Sequence, residues 1–159
     1  MDGKHVVIVP PPRAGSYFFN YKDYNSQVLI GITDSNYKFI YFNFGTNGSV
    51  SDGGVLEYTD FYDKLQTEYL KIPESSDVNG RKLPYVFIGE EAFSLRRDFL
   101  KPYCVKQLTK ERKVFNYRFC RAQIIIENVF GILVARFGIF KTHININPHP
   151  ANVENMASS

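Results

Sequence analysis

The opening 44 residues hold three runs suited to strands, and no helical periodicity interrupts them. His5-Val6-Val7-Ile8-Val9 is β-branched and halts at Pro10-Pro11-Pro12, the pattern of a strand closed by a stiff loop. A second apolar run covers Gln27 to Thr33, Asp34-Ser35-Asn36 supplies turn residues, and Tyr37 to Phe44 resumes as a strand. The last two runs are expected to pair as an antiparallel hairpin, with a loop longer than a plain two-residue turn.

Helical spacing begins later. Gly45-Thr46-Asn47-Gly48 is expected to break the third strand, and Ser51-Asp52 to cap a helix. Val55, Tyr58, Tyr62, Leu65 and Tyr69 then fall on one stripe, which predicts one amphipathic helix. Pro73 to Arg81 reads as a polar loop, and Leu83 to Gly89 as a short strand buried within a sheet. A short helical turn is expected around Phe93 to Leu100. The last helix is expected from Tyr117 to Phe137, striped by Phe119, Ile126, Phe130, Leu133 and Phe137. Strands first and helices packed behind predict an α/β layer fold around a mixed sheet. Residues 1–144 read as one domain, and 145–159 as a polar tail that frays.

Hydrophobic content of 44% beside 22% charged residues rules against wholesale disorder. Cys104 and Cys120 are too few for a disulfide scaffold and lack metal-pair spacing, which predicts a reducing, intracellular setting. No apolar run is long enough to span a membrane, and no signal-peptide pattern opens the chain, so the expectation is a soluble protein. The net charge of +3 hides a strong partition. Asp52, Glu57, Asp60, Asp63 and Glu68 stand against Lys64 alone between Ser51 and Leu70. From Lys101 to Arg121, Lys101, Lys106, Lys110, Arg112, Lys113, Arg118 and Arg121 stand against Glu111 alone. Such a basic stretch suits either nucleic-acid phosphate, through counterion release, or a solvated loop.

Four carboxylates stand at the ends or faces of expected elements: Asp2, Asp52, Glu90 and Glu127. Glu90 ends the buried strand, where ligands gather in α/β sheets. Glu127 lies beside the apolar stripe of the last helix, and its neighbours Gln123, Ile124, Phe130 and Gly131 offer no helical ion pair. A carboxylate so placed needs another partner, and a metal ion would serve. Hard oxygen donors suit Mg²⁺ or Mn²⁺ over zinc, and such ions activate water and stabilise a leaving oxygen in phosphodiester cleavage. The structural alternatives stay open: Asp52 as a helix cap, Glu90 and Glu91 as charges in a solvated turn, Asp2 as a mobile terminal residue. Other chemistries lack their patterns. His5, His143 and His149 do not combine with the cysteines at zinc-site spacing. Gly45 to Gly54 lacks the ending of a phosphate loop, and no serine nucleophile elbow is present.

Several segments resemble a known family in order and with compatible spacing. Asp2-Gly3-Lys4-His5, Gly15-Ser16 and Asn20-Tyr21-Lys22 resemble the opening of the Harbinger-type DDE nuclease domain of PIF/Harbinger transposases. Asp34 to Phe39 resembles its hairpin, and Gly48-Ser49-Val50-Ser51-Asp52-Gly53 its glycine-rich turn. Pro84 to Phe93 is similar to the strand bearing its second catalytic aspartate. Phe115-Asn116-Tyr117-Arg118, Glu127-Asn128-Val129-Phe130-Gly131 and Arg136-Phe137 resemble its last catalytic helix.

The resemblance implies an RNase H-like fold and a nuclear, Mg²⁺- or Mn²⁺-dependent endonuclease acting on DNA at transposon ends. It implies Asp2 as the first catalytic aspartate, Glu127 as the final glutamate and Asp52 as a further metal ligand. Glu90 falls where the family has its second catalytic aspartate. One extra methylene there displaces a ligand oxygen by about 1 Å, which can cost roughly a hundredfold in rate. Against the family, the chain reads as incomplete at both ends, with part of the first strand, a DNA-binding region and a closing helix missing. Lys110, Arg112, Lys113, Arg118 and Arg121 are the expected phosphate contacts, and a separate Myb-like DNA-binding protein the expected partner. The competing reading is a transposase-derived domain that has lost cleavage and retains DNA or protein binding; a third is a non-functional remnant that folds poorly.

Overall fold

The structure, a computed structural model, describes residues 1–67, 69–90 and 96–146, with the backbone alone at positions 52, 53 and 107. Its centre is a mixed four-stranded sheet of order β3-β2-β1-β8, built from β1 (Asp2–Val9), β2 (Ser26–Thr33), β3 (Phe39–Asn47) and β8 (Ile144–Asn145). β2 pairs antiparallel with both β1 and β3, and β8 runs parallel to the end of β1. The expected hairpin is present. Its loop is shaped by Asp34, whose carboxylate accepts from the amides of Asn36 (2.8 Å) and Lys38 (3.0 Å). The expected break at Gly45 is instead a bulge: Val28 faces Thr46 and Leu29 faces Phe44, so Gly45 is skipped at φ 125° and the strand continues to Asn47.

β2 explains the layering. Val28, Ile30 and Ile32 point to one face, where they meet Val55, Leu56, Phe61, Leu65 and Phe99. Leu29 points to the other, where it joins Val6, Ile126 and Phe130. The first face is covered by α1 (Asp52–Glu57) and α2 (Asp60–Gln66), the second by α3 (Lys110–Arg136). A strand buried on both faces reads as an almost continuous apolar run, as β2 does. Gly31 permits the close approach of α3. A Cβ there would stand 2.8 Å from Phe39 Cε1 and 3.2 Å from Phe130 Cζ. Gly31→Ala is therefore expected to lower unfolding stability by about 1–3 kcal/mol, read as a lower urea midpoint at unchanged slope. An unchanged midpoint would mean that the two rings yield freely.

The helix expected through Val55 and Tyr69 is two, because Thr59 interrupts it. The Thr59 hydroxyl donates to Leu56 O at 2.6 Å and accepts from the Tyr62 amide at 3.3 Å, closing α1 and opening α2. The loop expected at Pro73 to Arg81 contains a small hairpin of β4 (Ser76–Val78) and β5 (Arg81–Leu83), turned by Asn79 and Gly80 at positive φ. Of the expected Leu83 to Gly89 strand, Leu83 ends β5 and Phe87–Ile88 form a separate short strand (β6). It pairs parallel with β7 (Phe99–Leu100), outside the central sheet. Pro84 bars a continuous strand from β5, since it has no amide hydrogen and restricts the residue before it. The helical turn expected around Phe93 to Leu100 ends as strand β7 at its described end, and residues 91–95, Glu91 included, lie outside the described residues.

α3 begins at Lys110, seven residues before the expected Tyr117, because Thr109 caps it through the Arg112 amide. Much of the basic stretch is thus helical. Phe137 is not on the buried stripe; it ends the helix, exposed. Ile144–Asn145 is held on β1, and positions 147–159 of the expected tail lie outside the described residues.

Candidate nuclease cleft

Alternation along β1 puts Asp2, Lys4, Val6 and Ile8 on one face of the sheet, and Val6 packs there with Ile126 and Phe130 of α3. Asp2 therefore opens on the side that α3 covers, and Glu127 sits between Ile126 and Phe130 in sequence on that helix. β6 brings the third carboxylate. The Met1 amino group donates to Ile88 O at 2.7 Å, and the Gly89 amide donates to Leu100 O at 3.1 Å, so Glu90 emerges beside the start of β1. Burial pushes the Met1 amino group down to about 6, although Asp2 and Glu90 both favour its charged form.

Asp2, Glu90 and Glu127 line one open cleft of ≈ 460 Å³. A second depression of ≈ 380 Å³ also has Glu90 and Glu127 in its wall, with Phe119, Cys120 and Gln123. Asp2 accepts from the Gly3 amide at 2.7 Å. Glu127 is exposed and, among the described residues, makes no ion pair. Also among the described residues, no three His, Cys, Asp or Glu side chains gather closely enough to hold a metal ion. Asp52 is the first residue of α1, after the Ser51 cap, on a helix packed against the opposite face of the sheet from α3. Its side chain lies outside the described residues.

The five cations all lie on α3, and all are exposed: Lys110, Arg112, Lys113, Arg118 and Arg121. Arg112 lies over the Tyr103 ring at 4.9 Å and Arg121 over the Tyr117 ring at 6.0 Å. The Asn116 amide clamps the preceding loop by accepting from the Tyr103 amide (2.9 Å) and donating to Tyr103 O (2.8 Å).

Sequence reasoning missed half of the cleft wall: Lys4, His5, Tyr21, Lys22 and Tyr24. By sequence His5 opens the first strand run and lacks zinc-site spacing, and neither feature marks it as cleft wall. Its Nδ1 lies 2.9 Å from the Ser26 hydroxyl, and the Asn20 side-chain amide donates to that same hydroxyl at 2.8 Å. Nδ1 can accept the Ser26 proton when the ring is neutral. Burial, and secondarily the charge of Lys22, lowers the His5 pKa accordingly. The unfolded chain takes up this proton in the ordinary histidine range and the folded chain only below it. Stability is thus expected to fall as pH drops from about 7.5 to about 5.5, and to fall less in His5→Gln. Urea midpoints at the two pH values check this; parallel losses in both proteins would assign the acid sensitivity elsewhere.

The family described as DDE superfamily endonuclease matches residues 1–158 of the chain. No curated protein matches it, and no solved structure does. Among the described residues, no helix is long and apolar enough to cross a membrane.

Proposed function

The chain belongs to the DDE superfamily endonuclease family, and on that premise we propose that it is a divalent-metal-dependent DNA endonuclease domain of Harbinger transposase origin, cutting phosphodiester bonds at transposon ends. One observation carries this reading: Asp2, Glu90 and Glu127, remote in sequence, line a single cleft. In this reading residues 1–144 are the domain, with an RNase H-like arrangement of sheet and helices; Asn145 completes its short last strand on β1, and the residues after it are a polar tail. A mixed sheet with helices on both faces supports that arrangement.

In this reading Asp2, Glu90 and Glu127 would hold Mg²⁺ or Mn²⁺; Asp52, at the start of α1 across the sheet, is the proposed supporting carboxylate. Such ions, when bound, would supply activation of a water and charge neutralisation at the leaving oxygen. The donor chemistry fits such ions, because carboxylate oxygens are hard ligands. Mg²⁺ ordinarily takes one or two carboxylates, keeps several waters and completes its shell with substrate phosphate. The three carboxylates share one cleft, and Mg²⁺ bound there would draw its remaining ligands from water and substrate phosphate. Lys110, Arg112, Lys113, Arg118 and Arg121 hold DNA phosphates without reading sequence. Sequence choice then falls to a separate Myb-like DNA-binding protein, in the nucleus.

The second reading, a transposase-derived module that binds DNA or protein without cutting, draws on Glu90, which stands where the resemblance implies aspartate. The two readings separate in one assay: nicking of supercoiled DNA by the purified chain in Mn²⁺ and in EDTA. Nicks formed only with the metal support the nuclease; retained DNA binding without nicks supports the module.

A further inference from the structure

Part of the cleft wall is a turn whose shape is set by buried hydrogen bonds. Asn20 is 3% exposed. Its side-chain oxygen accepts from the amides of Lys22 (2.9 Å) and Tyr24 (3.4 Å), while its nitrogen donates to Ser26 Oγ (2.8 Å). The Asn20 amide donates to Tyr24 O at 3.0 Å, and the Asp23 amide donates to Asn20 O at 3.1 Å. The turn is anchored to β2 by the Ser26 amide, which donates to Phe18 O at 2.8 Å. Asn20, itself buried, thus ties the exposed residues 21–23 to β2 at several points.

That turn presents Tyr21 with 77% of its surface exposed, inside the cleft that Asp2, Glu90 and Glu127 line. The His5 ring props it edge-on at 5.5 Å, and Lys22 Nζ lies 5.3 Å from its centroid. Lys4 lines the same cleft. A large, exposed aromatic ring with one cation over its face and a second in the same cleft matches the chemistry of a nucleotide: a π-surface for the base and charge for its phosphate. Bases within a duplex have both faces covered by their neighbours, so only an unstacked base can use such a ring.

We propose that Tyr21 is a stacking platform for an unpaired nucleobase flanking the cleaved phosphodiester, with Lys22 and Lys4 as its phosphate contacts. The cleft thus takes DNA locally opened into single strand. The inference rests on the nuclease reading of the cleft, and its test is independent of cutting.

The probe is a single-stranded oligonucleotide carrying 2-aminopurine, titrated in EDTA with the full chain and its Tyr21→Ala, Tyr21→Leu and Tyr21→Phe variants. Tyr21→Ala and Tyr21→Leu are expected to weaken single-strand binding by about tenfold or more, with Tyr21→Phe near the parent. Affinity for a fully paired duplex is expected to stay within about twofold, because phosphate contacts dominate there. Single-strand binding unchanged in the alanine and leucine variants would overturn the proposal. So would equal losses on both probes, or no single-strand binding by the parent chain. Stacking without metal-dependent nicking would contradict the nuclease reading alone; nicking without a Tyr21 effect would contradict the platform alone.

Discussion

Glu127→Gln is expected to abolish metal-dependent nicking, lowering the rate by about a thousandfold or more while leaving the fold intact. The substitution keeps shape and removes charge. If Glu127 holds a catalytic ion, the loss is the several kcal/mol that the ion contributes to the transition state, and about 4 kcal/mol is a thousandfold. Stability has little to lose. Glu127 is exposed and makes no ion pair among the described residues, so its unfolding free energy is expected to change by no more than about 0.5 kcal/mol. Full nicking activity in Glu127→Gln would remove the residue from the site. Glu90→Asp is the natural companion: if the extra methylene misplaces a ligand oxygen, the shorter acid raises the rate.

Phe130→Ala is expected to have the largest effect on stability, about 3–5 kcal/mol, a sizeable part of the roughly 5–15 kcal/mol that holds a domain folded. Phe130 is buried with Val6, Leu29 and Ile126, meets the Phe39 ring at 6.2 Å between centroids, and closes over Gly31. Truncation leaves a cavity between α3 and the sheet that a glycine beneath cannot fill. Ile132, half-exposed on the same helix, is the control, with an expected cost for Ile132→Ala within about 0.5 kcal/mol. Equal losses at both positions, by urea unfolding, would contradict the layer assignment. Because Phe130 also lines the cleft, the same variant is expected to lose nicking before it loses its secondary structure.

The two predictions rest on parts of the molecule that were unequally legible in the sequence. β1, β2 and β3 were readable because β-branched runs bounded by turn residues leave few alternatives, and the period of two in β2 separates the faces correctly. The helix after Ser51 was misread because Tyr58 and Tyr69 fall at helical spacing yet are exposed, so the periodicity counted surface rings as core. Thr59 was the missed signal, a capping hydroxyl between two apolar pairs. Asn79-Gly80 is a hairpin turn in plain view, obscured by the polar residues around it.

At the site, Glu127 was legible because it had no helical ion-pair partner, and Glu90 because it followed an apolar run. The wall formed by His5, Tyr21, Lys22 and Tyr24 was not. It depends on side-chain hydrogen bonds from Asn20 that fold residues 20–24 back onto β1 and β2, and no periodicity encodes those.

The central claim is that the cleft carboxylates act together on a divalent ion. The measurement that tests it most directly is calorimetric titration of Mn²⁺ into the purified chain, with and without bound DNA, beside Glu127→Ala. Saturable binding that tightens with DNA and disappears in the variant is expected. A folded chain that binds no Mn²⁺ in either condition, or a variant that binds as the parent does, would contradict the central claim.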